Sequence, residues 1–560
     1  MKNSLRLALV PLITMISSLS AAEEPALPPQ GALDAISGAD LLKHIKVLAS
    51  DEYEGRAPGG KGEELSVKYI TEQMKAIGLT PGNPNGSYTQ EVPLAGITTE
   101  PKASFTAKDE TMNLKFPQDY VASSARLQEN IKIENSEIVF VGYGVVAPEY
   151  GWDDYKDVDV KGKTLLMLIN DPAIPDPADP TKLDPKMFKG RAMTYYGRWS
   201  YKYEIAAEKG AVAAVIIHET GPAAYPFSVV QSSWGKENFE IDAKNKNMDH
   251  VEVRSWISLE TATKLLAACG LDIESLKQSA LSKDFKPVTL QAKASFDLKQ
   301  KIRPFKSHNV VGKIDGSDSK LKDEWVIYTA HWDHLGKNPN VKGDNIYNGA
   351  LDNASGVATI LEIAKAHAAL PTPTKRSVLF MATTAEEAGL LGAKYYAEHP
   401  LYPLAKTLAD INVDIANLWG KAHDIEDISD GRSDLDDMLI AAAKTQDRVV
   451  KPDSAPEKGS FYRADHFEFS KLGVPALYPG NGLDIIGKPG FGKEKEDEFV
   501  AKHYHQPSDE VNPAWDMAGA AEDAQLLFDV GYEVANAEKF PAWHNGTEFK
   551  AKREEMLGKK

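Results

Sequence analysis

Cysteine is almost absent from this chain of 560 residues, in which Cys269 is the only one. A single cysteine excludes an intrachain disulfide. Cys269 lies in the apolar segment 264–270, whose pattern is typical of a helix. We therefore interpret it as a small buried hydrophobic residue rather than as a catalytic thiol.

The chain also lacks an excess of basic residues, because 64 Lys and Arg stand against 81 Asp and Glu, giving a formal net charge of -17. Such an acidic chain argues against nucleic acid as the main partner, since phosphate binding needs clustered lysine and arginine. Several catalytic motifs are missing as well. There is no His-Glu-x-x-His, no Gly-x-Ser-x-Gly, and the P-loop-like end at Gly162 has Asp157 where the leading glycine should stand.

No apolar run is long enough to cross a bilayer, and the mostly apolar run 7–19 is too short to do so. It follows the positive residues Lys2 and Arg6 and precedes the small residues Ser20, Ala21 and Ala22. This order is typical of a cleavable secretory signal, so we predict a signal peptide over residues 1–22. We expect an exported protein, periplasmic or secreted, with no stable membrane insertion.

The remaining chain is 42% hydrophobic, which is ordinary for a globular protein with two or three domains. From about Ser307 onward, apolar strands alternate with helices, which predicts an α/β fold with a central mixed, mostly parallel sheet flanked by helices. Residues 136–259 have the pattern of a β-rich module inserted into this host domain. The host then comprises residues 35–135 and 260–540, followed by a C-terminal tail, 541–560, whose lysine-rich end, Lys550 to Lys560, is predicted to be solvated.

Acidic and imidazole side chains gather where the predicted host strands end. In an open parallel sheet, ligand sites form at the carboxyl ends of the strands. Singly, each residue has an ordinary explanation, such as a surface loop, a solvated face or a helix N-cap. Their occurrence together in one domain favours a shared site, made of His331 and Asp333 after strand 325–329, Asp352 before a helix, Glu386 and Glu387 after strand 377–384, Asp414 after Ile411, and His505 in a loop.

This set resembles the zinc-dependent aminopeptidases of the M28 type, the family of the bacterial leucyl aminopeptidases and the glutamate carboxypeptidases. The likeness extends from about Leu41 to Val534 and includes the segment 48–56, Leu-Ala-Ser-Asp-Glu-Tyr-Glu-Gly-Arg. The inserted module is similar to a protease-associated domain. The resemblance implies a di-zinc metallo-aminopeptidase that acts on peptides with a free N-terminus.

The resemblance also implies a role for each residue. His331 and Asp414 would bind one zinc ion, Glu387 and His505 would bind the second, and Asp352 would bridge the two. A bridging hydroxide would be the nucleophile and Glu386 the general base, while Asp333 would hydrogen-bond the free nitrogen of His331. The chemistry agrees, because zinc accepts imidazole nitrogen and carboxylate oxygen. Two zinc ions, three carboxylates and one hydroxide sum to zero charge, which avoids burying a net charge.

A further segment, from Tyr462 to His466, matches a family segment that usually reads Ser-Asp-His, with Ala464 in place of the serine. The predicted substrate pocket includes Phe461, Tyr462, Asp465 and His466, although the two aromatic residues fit a core role equally well. His334 and His503, which lie close in sequence to predicted ligands, are interpreted as structural.

Three alternatives remain beside the aminopeptidase. Carboxypeptidases or dipeptidases of the same fold are the first, but little chain follows Val534 to form the helical dimerisation domain of the glutamate carboxypeptidases. Glutaminyl cyclases use one zinc ion, whereas all five ligand positions are filled here. The third alternative is a non-catalytic, receptor-like member that has lost its metals. Such a protein is expected to lack metal ligands, whereas all five are present here.

Overall fold

The fold is described by a computed structural model, which covers residues 27–156, 158–339 and 341–558. The predicted signal peptide, residues 1–22, lies outside the described residues. Within those ranges, no helix combines the length and the apolar character needed to cross a membrane.

The strands are mostly short apolar segments, with three long exceptions that exceed ten residues. In chain order they are β1 Thr80–Pro81, β2 Thr89–Ala107, β3 Glu110–Asn113, β4 Tyr120–Ser123, β5 Asn130–Phe140, β6 Val146–Ala147, β7 Trp152–Asp153, β8 Thr164–Leu168, β9 Ala213–His218, β10 Asn238–Ile241, β11 Val253–Ser258, β12 Val288–Ile314, β13 Trp325–His331, β14 Gly336–Lys337, β15 Ile346–Tyr347, β16 Ser377–Thr383, β17 Thr407–Asn412, β18 Asp424–Asp427, β19 Val449–Pro452, β20 Ala476–Leu477 and β21 Pro479–Gly480.

The helices alternate with the host strands as the apolar pattern predicts. They are α1 Gln30–Leu33, α2 Gly38–Leu48, α3 Lys61–Ile77, α4 Trp199–Glu208, α5 Thr220–Ala223, α6 Phe227–Trp234, α7 Leu259–Ala268, α8 Ile273–Ser279, α9 Ser355–Ala368, α10 Leu391–Glu398, α11 Asp434–Thr445, α12 His466–Lys471, α13 Phe491–Lys502, α14 Ala518–Asn536 and α15 Lys550–Met556.

The host sheet is parallel over its central strands, in the order β20-β17-β13-β16, and β12 joins β16 in the antiparallel sense. Both faces of β13 are buried. Val326 and Tyr328 pack with α9 and α14, while Trp325 and Ile327 pack with α10 and α12. Burial on both faces explains why these strands are continuously apolar. The predicted α/β fold with a mostly parallel central sheet is therefore confirmed.

The inserted module is continuous with the host sheet, because the long strand β12 serves both. Beyond β12 the same sheet continues through β5, β8, β9, β11 and β4. The hydrophobic cores on the two faces of this part draw on residues from Ala103 to Leu298. Strand β4, helix α8, nearly all of helix α7 and half of β12 lie outside the predicted bounds, 136–259, and contribute to these cores, while the division into domains stays a prediction.

The C-terminal segment 541–558 is anchored to the host domain, although in the described part of the predicted solvated end, 550–558, only Arg553 is buried. Trp543 and Phe549 are buried against the catalytic half, at 2% and 4% exposure. The guanidinium of Arg553 is also buried and donates to the backbone carbonyls of Leu404 and Thr407. Two aromatic residues and one buried arginine thus fix a segment whose lysines face solvent.

Candidate metal centre

Three adjacent parallel strands bring four of the predicted side chains to one edge of the sheet. His331 is the last residue of β13, Glu386 and Glu387 follow β16, and Asp414 follows β17. Strand β13 lies between β17 and β16, so the carboxyl ends of all three meet. Such an edge is where open parallel sheets form ligand sites.

Two further side chains reach this edge from loops. Asp352 precedes α9, and its peptide bond to Asn353 is cis. His505 follows α13, and its Nε2 lies 3.3 Å from Asp352 Oδ2 and 3.1 Å from Glu387 Oε2. On the other side, His331 Nε2 lies 3.3 Å from Asp352 Oδ1 and 3.4 Å from Asp414 Oδ1. Each oxygen of Asp352 therefore faces a different histidine.

These separations fit zinc coordination. Tetrahedral bonds of about 2.0–2.2 Å place two ligand atoms about 3.3–3.6 Å apart. The four distances around the two histidines, 3.1–3.4 Å, lie in or close to that range. The donor set of imidazole nitrogen and carboxylate oxygen also suits zinc. His331, Asp352 and Asp414 form one group able to hold a metal ion.

Glu386 lies beside the donor atoms but further away, with its Oε2 3.8 Å from His331 Nε2. Burial and the neighbouring carboxylates of Asp414 and Glu387 raise its pKa well above the usual range, against the opposing effect of His331. A carboxylate with a raised pKa accepts a proton more readily than an exposed one. Glu386 is thus the carboxylate of the cluster best suited to proton transfer.

Asp333 does not bind His331 in the way the sequence predicts. His331 Nδ1 donates instead to the backbone carbonyl of Asp333 at 3.1 Å, whereas the carboxylate stays 3.8 Å away. Its two oxygens accept from the backbone N–H groups of Glu386 at 3.0 Å and Glu387 at 3.4 Å. The carbonyl leaves Nε2 of His331 free for a metal, and the carboxylate fixes the turn that carries both glutamates.

His334, interpreted from the sequence as structural, contacts a predicted ligand directly. Its Nδ1 lies 2.6 Å from Glu387 Oε1, so each oxygen of Glu387 faces a different histidine. Together with Asp352 and Glu387, His334 forms a second group within metal-binding reach. His505 is the better ligand, because its Nε2 contacts both Glu387 and Asp352. His334 orients Glu387 through the contact with its Oε1.

Two other residues that the sequence left without a role hold the Asp352 loop in place. Asp509 accepts from the backbone N–H groups of Leu351 at 2.9 Å and Asp352 at 3.0 Å. Arg56 is fully buried and donates to four carbonyls, those of Leu48, Trp332, Asn348 and Gly349. It ties the N-terminal segment to the loops that carry His331 and Asp352. Both residues lie in segments that the family resemblance covers, which was the only signal available.

Backbone strain is found at or next to the predicted ligands as well as elsewhere in the described chain. Ala385, Ile415 and His505 have φ values of 52°, 71° and 59°, and none is glycine. For a β-branched residue such as Ile415 this conformation is rare. Left-handed non-glycine residues persist where the surroundings determine them, and they cluster at functional sites.

The predicted pocket residues are buried beneath the site. Phe461 and Tyr462 are 2% exposed and pack with Phe467 and Phe549, which places them in a core. His466 is fully buried, and Asp465 accepts a hydrogen bond from Thr383 at the end of β16. None of the four side chains lines an open surface.

Residues 309–528 match the family model described as peptidase family M28. This segment, 309–528, is an M28 peptidase domain. The M28 segment holds the strands β13, β16 and β17 and all of the predicted metal ligands, so the geometry and the family match concern the same residues.

Two named relatives of this chain illustrate the range of similarity. Aminopeptidase YwaD of Bacillus subtilis (strain 168) is 27% identical over 278 residues, which are 49% of this chain and 53% of YwaD. A protein of Caenorhabditis elegans, named glutamate carboxypeptidase 2 homolog, is 26% identical over 38% of this chain and 26% of its own length. The matches thus span about half or less of these relatives. Among solved structures, an aminopeptidase from Aneurinibacillus sp. strain AM-1 superposes with a TM-score of 0.49 at 18% identity, over 91% of this chain and 97% of that chain.

Proposed function

We propose that the chain is a zinc-dependent aminopeptidase with two metal ions, which removes residues from the free N-terminus of peptides. One observation carries the proposal. The two oxygens of Asp352 face separate donor pairs, His331 with Asp414 and His505 with Glu387. A carboxylate shared in this way is what a two-metal site needs.

Five side chains would hold the metals, namely His331 and Asp414 for one, His505 and Glu387 for the other, and Asp352 between them. Two zinc ions bound there would polarise the scissile carbonyl and lower the pKa of a bound water. His331 presents Nε2 as a ligand because its Nδ1 donates to the carbonyl of Asp333.

Glu386 would do the proton transfer. It is close to the donor atoms without being needed as a ligand, and burial together with Asp414 and Glu387 raises its pKa. It would accept a proton from the attacking water and deliver that proton to the leaving amine. Asp333 would act as a positioning residue, because its carboxylate holds the backbone of both glutamates.

The substrate assignment is supported by the name of the bacterial relative, aminopeptidase YwaD. The carboxypeptidase name of another relative keeps a carboxypeptidase or dipeptidase as the second candidate. The pattern of residues 1–22 supports export to the periplasm or the medium as part of the same proposal. The inserted module, whose likeness to a protease-associated domain stays a prediction, would cover the site and restrict it to small peptides.

The test is hydrolysis of a panel of aminoacyl-p-nitroanilides by the zinc-loaded protein, each with its amine free and acetylated. We expect cleavage of the free-amine substrates alone. Glu386→Gln should lose turnover by a factor of about 100 or more while keeping its zinc.

Glu398→Gln provides a matched control, since Glu398 ends α10 away from the metal ligands. It should leave both activity and zinc content unchanged. Full activity of a zinc-loaded Glu386→Gln protein would refute the role of Glu386. Cleavage of acetylated substrates, or of none in a protein that holds two zinc ions, would move the assignment to the carboxypeptidase or dipeptidase.

A further inference from the structure

Two turns, one from the inserted module and one from the host, meet a few residues before Asp465, which accepts a hydrogen bond from Thr383 at the end of β16. The turn Tyr195–Gly197 precedes α4, and the turn Ser460–Tyr462 precedes α12. The ring of Tyr195 lies 6.4 Å from that of Tyr462 and 5.2 Å from that of Phe467. An arginine follows each turn directly, with its backbone N–H bonded to the first residue of the turn, Arg198 to Tyr195 and Arg463 to Ser460.

Neither arginine has a partner for its charge among the described residues. The guanidinium groups of Arg198 and Arg463 form no ion pair and no hydrogen bond in that part of the chain. Nε of Arg198 is buried without any acceptor. Arg463 keeps contact with solvent. The buried Nε of Arg198 is the unusual case, because buried charged groups are normally paired and the chain has 17 more acidic than basic residues to pair with it.

Arg463 shares its surroundings with Glu386, and Arg198 shares its surroundings with Arg463. Burial and, to a smaller extent, the charge of Arg463 lower the pKa of Arg198 to about 10. For Arg463, the phenols of Tyr504, Tyr225 and Tyr478 and the carboxylate of Glu386 overcome the opposing effect of burial and raise its pKa. The ring of Tyr504 stacks on the predicted ligand His505 at 3.9 Å. Arg463 therefore borders the same space as Glu386.

Two like charges held together without an anion repel each other, and a carboxylate between them would remove that repulsion. Guanidinium groups bind carboxylates with charge-assisted and often bidentate hydrogen bonds. A substrate is the one component of the reaction that can supply such a group from the cleft.

We propose that Arg463 and Arg198 form a subsite for a carboxylate on the leaving residue of the substrate, which makes dipeptides with a free C-terminus the preferred substrates. This inference rests on the proposed function, because Glu386 is placed on the side of the leaving amine. Arg463 is the accessible member, and Arg198 reinforces its charge from the inserted module. The carboxylate can come from the C-terminus of a dipeptide or from an acidic side chain at the second position.

The experiment compares kcat and KM for matched substrates with a free amine. Leu-Ala is paired with Leu-Ala-amide to test the C-terminal carboxylate, and Leu-Glu-amide with Leu-Gln-amide to test the side chain. Leucine p-nitroanilide, which has no carboxylate, reports the proposed aminopeptidase activity separately. We expect Leu-Ala to exceed its amide about 10-fold or more in kcat/KM, mainly through KM.

Arg463→Gln should bring the ratio of Leu-Ala to Leu-Ala-amide close to one, and Arg463→Lys should restore part of it. Arg198→Gln should lower the ratio as well. Arg191→Gln is the matched control, because Arg191 belongs to the same module contact but pairs with Glu457 at 2.7 Å. It should keep the ratio of the original protein.

Each outcome decides the question. A ratio near one in the unaltered protein for both pairs overturns the inference, as does an equal ratio in Arg463→Gln and Arg191→Gln. A preference confined to Leu-Glu-amide supports the subsite with an acidic side chain as its ligand. If leucine p-nitroanilide and all four peptides resist a protein that holds its zinc, the proposed function itself fails, and the inference with it.

Discussion

Substituting Asp509 tests whether hydrogen bonds outside the metal centre position the predicted ligand Asp352. Its two carboxylate oxygens accept from the backbone N–H groups of Leu351 and Asp352, at 2.9 and 3.0 Å. The substitution Asp509→Asn keeps the size of the side chain but replaces one oxygen by an amide NH2. That NH2 group would face a backbone N–H. One hydrogen bond is then lost, and two N–H donors point at each other.

The magnitude follows from the bond that is lost. A hydrogen bond to a charged group contributes about 1.5–3 kcal/mol. Substituting a residue that hydrogen-bonds to a metal ligand and orients it typically weakens metal affinity about 10- to 100-fold. Such a factor corresponds to about 1.4–2.8 kcal/mol, so the two estimates agree. We therefore expect Asp509→Asn to bind zinc about 10- to 100-fold more weakly.

The assay is a titration of zinc against a competing chelator, together with thermal unfolding of the metal-free protein. Metal-free Asp509→Asn should also unfold at a lower temperature, because the hydrogen bonds exist without the metal. Glu510→Gln is the matched control, since Glu510 is the exposed neighbour, and it should change neither value. Wild-type zinc affinity in Asp509→Asn would refute the idea that Asp509 positions Asp352.

Three further perturbations have expected outcomes. Burial and Asp427 raise the pKa of Asp436 from 3.8 to about 8, so its protonated form stabilises the fold below pH 3.8 and this contribution is lost as the pH rises to 8. Asp436→Asn should remove most of that pH dependence, which amounts to at most about 5 kcal/mol in urea unfolding between pH 4 and 8; parallel pH curves for both proteins would contradict this. A Cβ at Gly531 would overlap the hydroxyl of Tyr328, so Gly531→Ala should lower the free energy of unfolding by about 1–3 kcal/mol, while Gly221→Ala, with open space around it, should not. Removing the metal with a chelator should lower the unfolding temperature, because zinc at about 100 times its Kd adds about 2.7 kcal/mol; an unchanged temperature would argue against a tightly bound metal.

The host fold was predictable because its strands are buried on both faces. The sheet order then places the carboxyl ends of β13, β16 and β17 side by side, which is why residues far apart in sequence could be grouped in advance. The extent of the inserted module was not predictable from composition. One uninterrupted strand, β12, serves both parts, and no change of pattern marks the point where it passes from one to the other.

The residues that support the ligands were harder to predict than the ligands. Asp509 acts on a backbone segment more than 150 residues away, and nothing local distinguishes it from a surface acid. His334 next to a ligand motif looked structural until its contact with Glu387 was visible. The anchoring of the C-terminal segment was not predicted, because its many lysines outweigh the two aromatic anchors, Trp543 and Phe549.

The central claim is that two metal ions share the carboxylate of Asp352. Anomalous diffraction at the zinc edge, from crystals of the zinc-loaded protein, tests it most directly. We predict two peaks about 3.5–4 Å apart, one between His331 and Asp414 and the other between His505 and Glu387. A single peak, or a pair of peaks that does not flank Asp352, would contradict the claim.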